Sequence, residues 1–160
     1  MYIDGIDREL IEHLQTNARL SFAELGRMVG LSTPAVIERI AKLEDAGVIL
    51  GYHAQVNPAA VGLPVHAIVR ITLDGSRIAG FFALARKIPE VMSCHRVTGA
   101  DSYLVEVRVR DTQHLESVID AMMPYVATNT SLVLGEAFHW KAVTPPEEPG
   151  SVRTRKKPRK

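Results

Sequence analysis

Apolar residues recur along the chain with two different periods. Ile3, Ile6, Leu10 and Leu14 lie three or four positions apart and Ile11 widens their stripe, which predicts an amphipathic helix over about residues 4–17. The segment Leu20-Ser21-Phe22-Ala23-Glu24-Leu25 follows. There Ser21 can accept the amide proton of Glu24, Glu24 can reach back to the amide of Ser21, and Leu20 can pack on Leu25; together these start a second helix. Gly30, after Val29, suits a left-handed cap. Two residues later Ser32 or Thr33 can cap a third helix, and Pro34 suits its first turn. Val36, Ile37, Ile40 and Leu43 line one face of it as far as Gly47. Residues 48–54 are apolar and partly β-branched or aromatic and read as a short strand or wing.

From residue 64 the period drops to two. Val65, Ala67, Val69, Ile71 and Leu73 alternate with His66, Arg70 and Thr72, the pattern of a strand with one buried face. Asp74-Gly75-Ser76 is turn chemistry. Ile78, Phe81, Phe82, Ala85 and Ile88 restore a helical stripe that Pro89 ends. Residues 91–98 form the next strand and Gly99-Ala100-Asp101 a tight turn. Tyr103, Val105, Val107 and Val109 then alternate with Glu106, Arg108 and Arg110. Leu115, Val118, Ile119, Met122 and Val126 make a second helical stripe. Residues 130–143 read as a last strand, with Leu132, Leu134, Phe138 and Trp140 in phase. The order strand–helix–strand–strand–helix–strand is the split, ferredoxin-like plan. The expected fold class is therefore α+β: an N-terminal winged helix-turn-helix followed by a ferredoxin-like βαββαβ domain. The sheet face away from the helices carries Ile68, Leu104 and Val133, and a mixed apolar face of this kind points to an oligomer contact.

Composition narrows the class without naming it. The 160 residues are 46% apolar with a formal net charge of +1, which excludes bulk disorder. No run approaches the roughly 18 apolar residues of a membrane span. The start, MYIDGIDREL, is acidic and lacks the apolar core of a secretory signal. A single cysteine, Cys94, allows no internal disulfide and suits a reducing cytoplasm. Charge is uneven. Residues 1–60 hold five basic and eight acidic side chains, residues 61–143 eight of each, and residues 144–160 six basic and two acidic. The expected organisation is a head over 1–60, a second domain over 61–143 and a flexible tail over 144–160. The tail is either a solubilising end or a phosphate-binding arm, since Lys and Arg release counterions from DNA.

Three short helices with a tight turn between the second and third form a helix-turn-helix. The start of such a third helix can enter a major groove. If Val36, Ile40 and Leu43 face inward, then Ser32, Thr33, Pro34, Ala35, Glu38, Arg39 and Lys42 are the candidate DNA-facing residues. Arg39 and Lys42 suit phosphates or guanine edges, and Thr33 and Ala35 suit phosphate or a thymine methyl. The head's excess of acid favours instead a plain three-helix bundle, because a DNA reader usually shows a basic footprint.

The stretch Leu31-Ser32-Thr33-Pro34-Ala35-Val36-Ile37-Glu38-Arg39-Ile40, with Leu43-Glu44, Ala46-Gly47-Val48-Ile49 and Gly51-Tyr52, resembles the recognition segment of the Lrp/AsnC (leucine-responsive regulatory protein) family of prokaryotic transcription regulators. Asp7 with Leu10 and Leu14 resembles that family's opening, Asn57-Pro58 with Gly62 its hinge, and Cys94-His95 with residues 97–104 the strand–turn–strand of its effector domain. The resemblance spans about residues 3–143. It implies a regulator that binds double-stranded DNA, assembles into dimers and often into rings of four dimers, and is modulated by a small amino acid held between dimers. It implies no cofactor and no metal, and a place in the cytoplasm on the nucleoid. The turn Thr98-Gly99-Ala100-Asp101 with Tyr103 would then lie at the effector pocket. A glycine there lets a ligand approach the backbone, amide groups can hold a carboxylate, and Asp101 can accept an ammonium. Thr128, Thr130 and Ser131 are candidate hydroxyls from the far strand. Alternatively, Gly99 and Asp101 only make the turn.

Two rival functions stay open in the sequence. One is an architectural chromosome-binding protein or ligand sensor without a dedicated operator. The other is an enzyme like the sirohaem decarboxylases, which resemble this two-part plan and would need His66, His95 and His139 around a tetrapyrrole. No Ser/His/Asp set, phosphate loop or metal-ligand spacing supports the enzyme.

Overall fold

The structure, a computed structural model, describes residues 2–73, 77–138 and 140–146. The turn expected at residues 74–76, His139 and the basic stretch 151–160 lie outside the described residues. The chain groups into two compact units. One holds the chain up to Ala54 and again from Phe138, the other Gln55–Ala137.

In the first unit α1 spans Gly5–Thr16, α2 Phe22–Val29 and α3 Thr33–Asp45. Ser21 and Glu24 form the expected reciprocal cap of α2, and Gly30 ends it at φ 73°. A second such cap, formed by Asp4 and Asp7, starts α1. Leu10, Leu14, Leu25, Val36 and Ile40 close the core, with Leu43 also buried. Burying a leucine is worth about 2 kcal/mol, against about 0.3–0.5 kcal/mol for an exposed helix ion pair, so packing decides how these helices sit. Gly26 is the closest approach: a Cβ there would lie 2.6 Å from the Leu31 carbonyl oxygen. Two expectations change. Ile37 does not join the buried face of α3 but is 44% exposed, because it is turned by about 100° from Val36 on the helix. No strand forms over residues 48–54, so the helix-turn-helix has no wing there. A strand needs a partner ladder, and Leu50 in this stretch points into solvent.

In the second unit β1 spans Val65–Thr72, α4 Ile78–Ala85, β2 Val91–Arg96, β3 Tyr103–Val109, α5 Thr112–Met122 and β4 Ala127–Leu132. The strands lie in the order β2-β3-β1-β4, every pair antiparallel, the ferredoxin-like arrangement. Ala67, Val69 and Ile71 of β1 and Tyr103, Val105, Val107 and Val109 of β3 face Phe81 and Ala85 of α4 and Leu115, Val118 and Met122 of α5. Asp111 caps α5 by accepting the His114 amide at 2.7 Å. Cys94 shares the helix-covered face, opposite Val105, and burial raises its thiol pKa. The last strand is shorter and earlier than expected. The Val133 amide donates to His66, near the start of β1, and beyond that point β1 offers no partner. Leu134, Phe138 and Trp140 are accordingly exposed.

The sheet face away from the helices is polar as well as apolar. His66 Nε2 lies 3.0 Å from Glu106 Oε1, and Arg108 lies 2.9 Å from Glu136 and 3.7 Å from Glu106. Ser93 donates to Glu106 and Arg70 to Asn129.

Candidate DNA-reading and effector sites

Helix α3 begins at Ser32, whose backbone is extended and whose hydroxyl makes no capping bond. Ser32, Thr33 and Pro34 are exposed and Ala35 is half-buried. These four, with exposed Ile37, form the front of the helix. Ile37 was not among the expected DNA-facing residues. Its signal was its place one residue after Val36, about 100° further round the helix. An exposed apolar side chain there suits a thymine methyl.

The charged candidates are engaged within the unit. Arg39 Nη1 donates to Asp4 Oδ2 and Asp7 Oδ1, both at 2.7 Å. The Arg39 guanidinium ties α3 to the start of α1. The hydrogen bonds it donates to Asp4 and Asp7 keep the Arg39 pKa raised. Burial pushes the Asp4 carboxyl up, but the Asp7 amide and the hydrogen bond and charge of Arg39 outweigh it and hold Asp4 below the usual carboxylate range. Lys42 Nζ donates to Glu38 at 2.6 Å across one helical turn. Both side chains are well exposed, so this pair can open toward a phosphate at little cost.

Behind α3, the Tyr52 hydroxyl donates to Glu44 at 2.8 Å. Burial and then the Glu44 hydrogen bond push its pKa from 10.0 to about 12. The contact is therefore complete below pH 10.0 and is lost as pH climbs through about 12. Absorbance titration at 295 nm should show one of the four tyrosines ionising late. The Tyr52→Phe variant should lack that step, and a titration unchanged in the variant would exclude the pairing. Because Tyr52 is 45% exposed, the shift marks a contact rather than a large source of stability.

In the second unit Thr98, Gly99 and Ala100 are exposed and Asp101 is half-buried. Gly99 has φ 116°, so the turn needs a residue without Cβ strain. Ser102 closes the loop: its amide donates to Ile71 at 2.7 Å and its hydroxyl accepts from the Leu73 amide. The turn thus sits at the C-terminal end of β1. The register places Thr128 opposite Ile71, at the same end of the sheet. Two expected members do not converge there. Tyr103, 7% exposed, points to the helix-covered side and meets the Phe82 ring edge-on at 5.1 Å; it is a core residue in phase with Val105. Ser131 pairs with Ile68 and lies on the opposite sheet face from Thr128 and Thr130, which pair with Ile71 and Val69. A strand turns alternate side chains to opposite faces, so the three hydroxyls cannot share one pocket within a single chain.

Among the described residues, the two strand histidines His66 and His95 do not come together. His66 pairs with Arg108 and His95 with Leu104 across β3, which separates them by about 16 Å in sheet geometry. No cluster of metal-ligating side chains occurs among the described residues, and no described helix is long and apolar enough to cross a membrane.

Comparison with known proteins settles the family. Residues 3–44 match the AsnC-type helix-turn-helix domain and residues 66–142 the Lrp/AsnC ligand binding domain. The chain belongs to the Lrp/AsnC family. It is 35% identical over 136 residues to the HTH-type transcriptional regulator LrpC of Bacillus subtilis, covering 85% of this chain and 94% of LrpC. A feast or famine regulatory protein of M. tuberculosis, solved in complex with L-methionine, superposes with a TM-score of 0.84 at 36% identity, over 90% of this chain and all of that one. A transcriptional regulator of Neisseria meningitidis, also solved with L-methionine, gives a TM-score of 0.83 at 32% identity, over 89% of this chain and 96% of that one. The Lrp/AsnC resemblance is thereby borne out. This member is a transcriptional regulator with a DNA-binding helix-turn-helix and a ligand-binding α+β domain.

Proposed function

We propose that this regulator binds a roughly palindromic operator as a homodimer, that dimers assemble further, and that a free amino acid sets the geometry of the assembly. The observation that carries the proposal is the pairing of an α3 front, made of exposed Ser32, Thr33 and Ile37 and half-buried Ala35, with a ligand-binding domain whose relatives hold L-methionine. Two-fold symmetry of the protein pairs two reading helices, which is why the operator should be palindromic. The sheet face with Ile68 and Leu104 is the dimer surface of this proposal. Octamers of four dimers would present several heads and gain avidity. The Thr98–Asp101 turn supports amino-acid binding because its amides suit a carboxylate and Asp101 suits an ammonium. Thr128 from the same sheet end is the hydroxyl we retain. An effector acts by binding one assembly state better than another. The protein works in the prokaryotic cytoplasm on the nucleoid, and no catalytic step is assigned to it.

The test is a fluorescence gel shift on the upstream region of its own gene, titrated with each of the twenty amino acids. The expected result is a saturable shift that one or a few amino acids alter, with Asp101→Ala abolishing the response and keeping DNA binding. Binding without motif preference would instead support an architectural chromosome protein. No binding at low salt, where phosphate contacts are strongest, would sink the regulator proposal for this operator.

A further inference from the structure

Thr33, Ile37 and Ala41 follow one another along α3 at steps of four, and all three are exposed. Residues four apart on a helix are neighbours on one face. Ile37 is the large apolar member of this row. A lone apolar side chain on a surface needs no explanation, but two observations set this one apart. It is the fifth residue of the reading helix Thr33–Asp45, in the part that a helix-turn-helix lays against base edges. In addition, the two cations of α3 are engaged: Arg39 with Asp4 and Asp7, and Lys42 with Glu38. What the row itself presents to a duplex is methyl groups, those of Thr33, Ile37 and Ala41.

We infer that Ile37 is a specificity-determining residue that reads the 5-methyl group of a thymine in the major groove, and that Thr33 on the same face reads a second one. This deepens the operator reading above and rests on it for the entry of α3 into the groove. Thymine is the base that presents a methyl group there. Over cytosine the same isoleucine would cover the N4 amino group and leave that donor unpaired, which costs more than a missing contact. Discrimination therefore has an attractive and a repulsive part. Isoleucine suits the task better than an unbranched side chain. Its β-branch holds essentially one χ1 rotamer in a helix, so little side-chain entropy is lost when the contact forms. Thr33 and Ile37 are about 6 Å apart along the helix axis, roughly two base-pair steps, so their contacts fall on different base pairs.

The experiment selects a preferred site for the full chain from a pool of random duplexes, so it does not depend on the upstream region of the gene. The selected duplex is then made with uracil in place of each thymine in turn, which removes the methyl group and keeps the O4 acceptor. The native chain should lose about fourfold in affinity at one or two positions of each half-site, the worth of one buried methyl group. Ile37→Ala should lose about as much on the thymine duplex and no longer distinguish thymine from uracil at one of those positions. Its salt slope should be native, because a methyl contact releases no counterion. Ile37→Val, which keeps the β-branch, should fall between the two. Equal native affinity for thymine and uracil at every position overturns the proposal. So does a thymine preference that survives Ile37→Ala at every position. An Ile37→Ala loss that is equal on both duplexes and comes with a changed oligomeric state also overturns it, in favour of a contact between copies of the chain. A chain that selects no sequence overturns this inference and the operator reading together. A selected site that shows the thymine loss but is missing from the upstream region supports this inference and removes only that operator.

Discussion

Gly26→Ala destabilises the helical unit by up to about 2 kcal/mol, although alanine in a helix interior is ordinarily better than glycine by about 1 kcal/mol. The inversion comes from a single contact. The new Cβ would sit 2.6 Å from the Leu31 carbonyl oxygen, and that atom is backbone. It cannot swing aside, because the Leu31 amide donates to the Gly26 carbonyl at 2.9 Å and fixes the turn from the other side. Overpacking of this kind costs about 1–3 kcal/mol, which exceeds the propensity gain. Gly26→Val should cost about 3 kcal/mol, or about 12–24 °C in Tm for so small a unit, and should splay α2 from α3 and abolish operator binding. Gly5→Ala is the control: nothing lies within 4 Å of a Cβ there, so it should be neutral or stabilising. Thermal unfolding followed by circular dichroism reads all three. A Gly26→Ala chain more stable than the native one would refute the close approach.

Arg39→Met should cost about 3 kcal/mol, the lower end for breaking a buried ion pair, because Asp7 is buried and a third of the Arg39 side chain is solvated. Two further readouts separate a clamp from a DNA contact. Loss of a phosphate contact would lower the salt slope of DNA binding by about 1, whereas loss of a clamp weakens binding at an unchanged slope. The expected result is the unchanged slope. Acid gives the second readout. Asp4 has a lowered pKa in the folded chain, so its contribution is complete above the ordinary carboxylate value of 3.8 and is lost as pH falls through the lowered folded value. Arg39→Met should flatten that acid limb of the stability curve. A variant with a native acid limb and a lower salt slope would return Arg39 to the DNA surface.

What the sequence made legible follows the range over which each residue acts. Ser21 with Glu24, Gly30 and Pro34 act over three or four positions, and the helices start and stop where they indicate. The strict alternation of β1 and β3 sets one face against the helices, as expected. The Arg39 ion pairs were not legible because its partners are 32 and 35 positions away, beyond any periodicity. The end of β4 depends on where β1 begins, which is also a long-range fact. Tyr103 and Ser131 are different: their phase relative to Val105 and Thr130 was present in the sequence, and the period-two rule assigns each to its face. Gly26 left no local signal, since a glycine in a helix shows its purpose only when the neighbouring backbone is known.

The sheet order has a consequence in time. β1 is an inner strand, and both of its neighbours lie far downstream: Val65 pairs with Val109 and Ala67 with Leu132. On a ribosome adding about 5–20 residues per second, β1 waits roughly 3–13 seconds for β4 to be made. During that interval Ala67, Val69 and Ile71 form an apolar strand with an unpaired edge. The helical head closes its core with residues no later than Ile49, so it can fold while the sheet is still incomplete. A stalled or prematurely ended chain would therefore carry a formed reading helix beside an open strand, and the risk of aggregation in this molecule is concentrated in the synthesis of its second half.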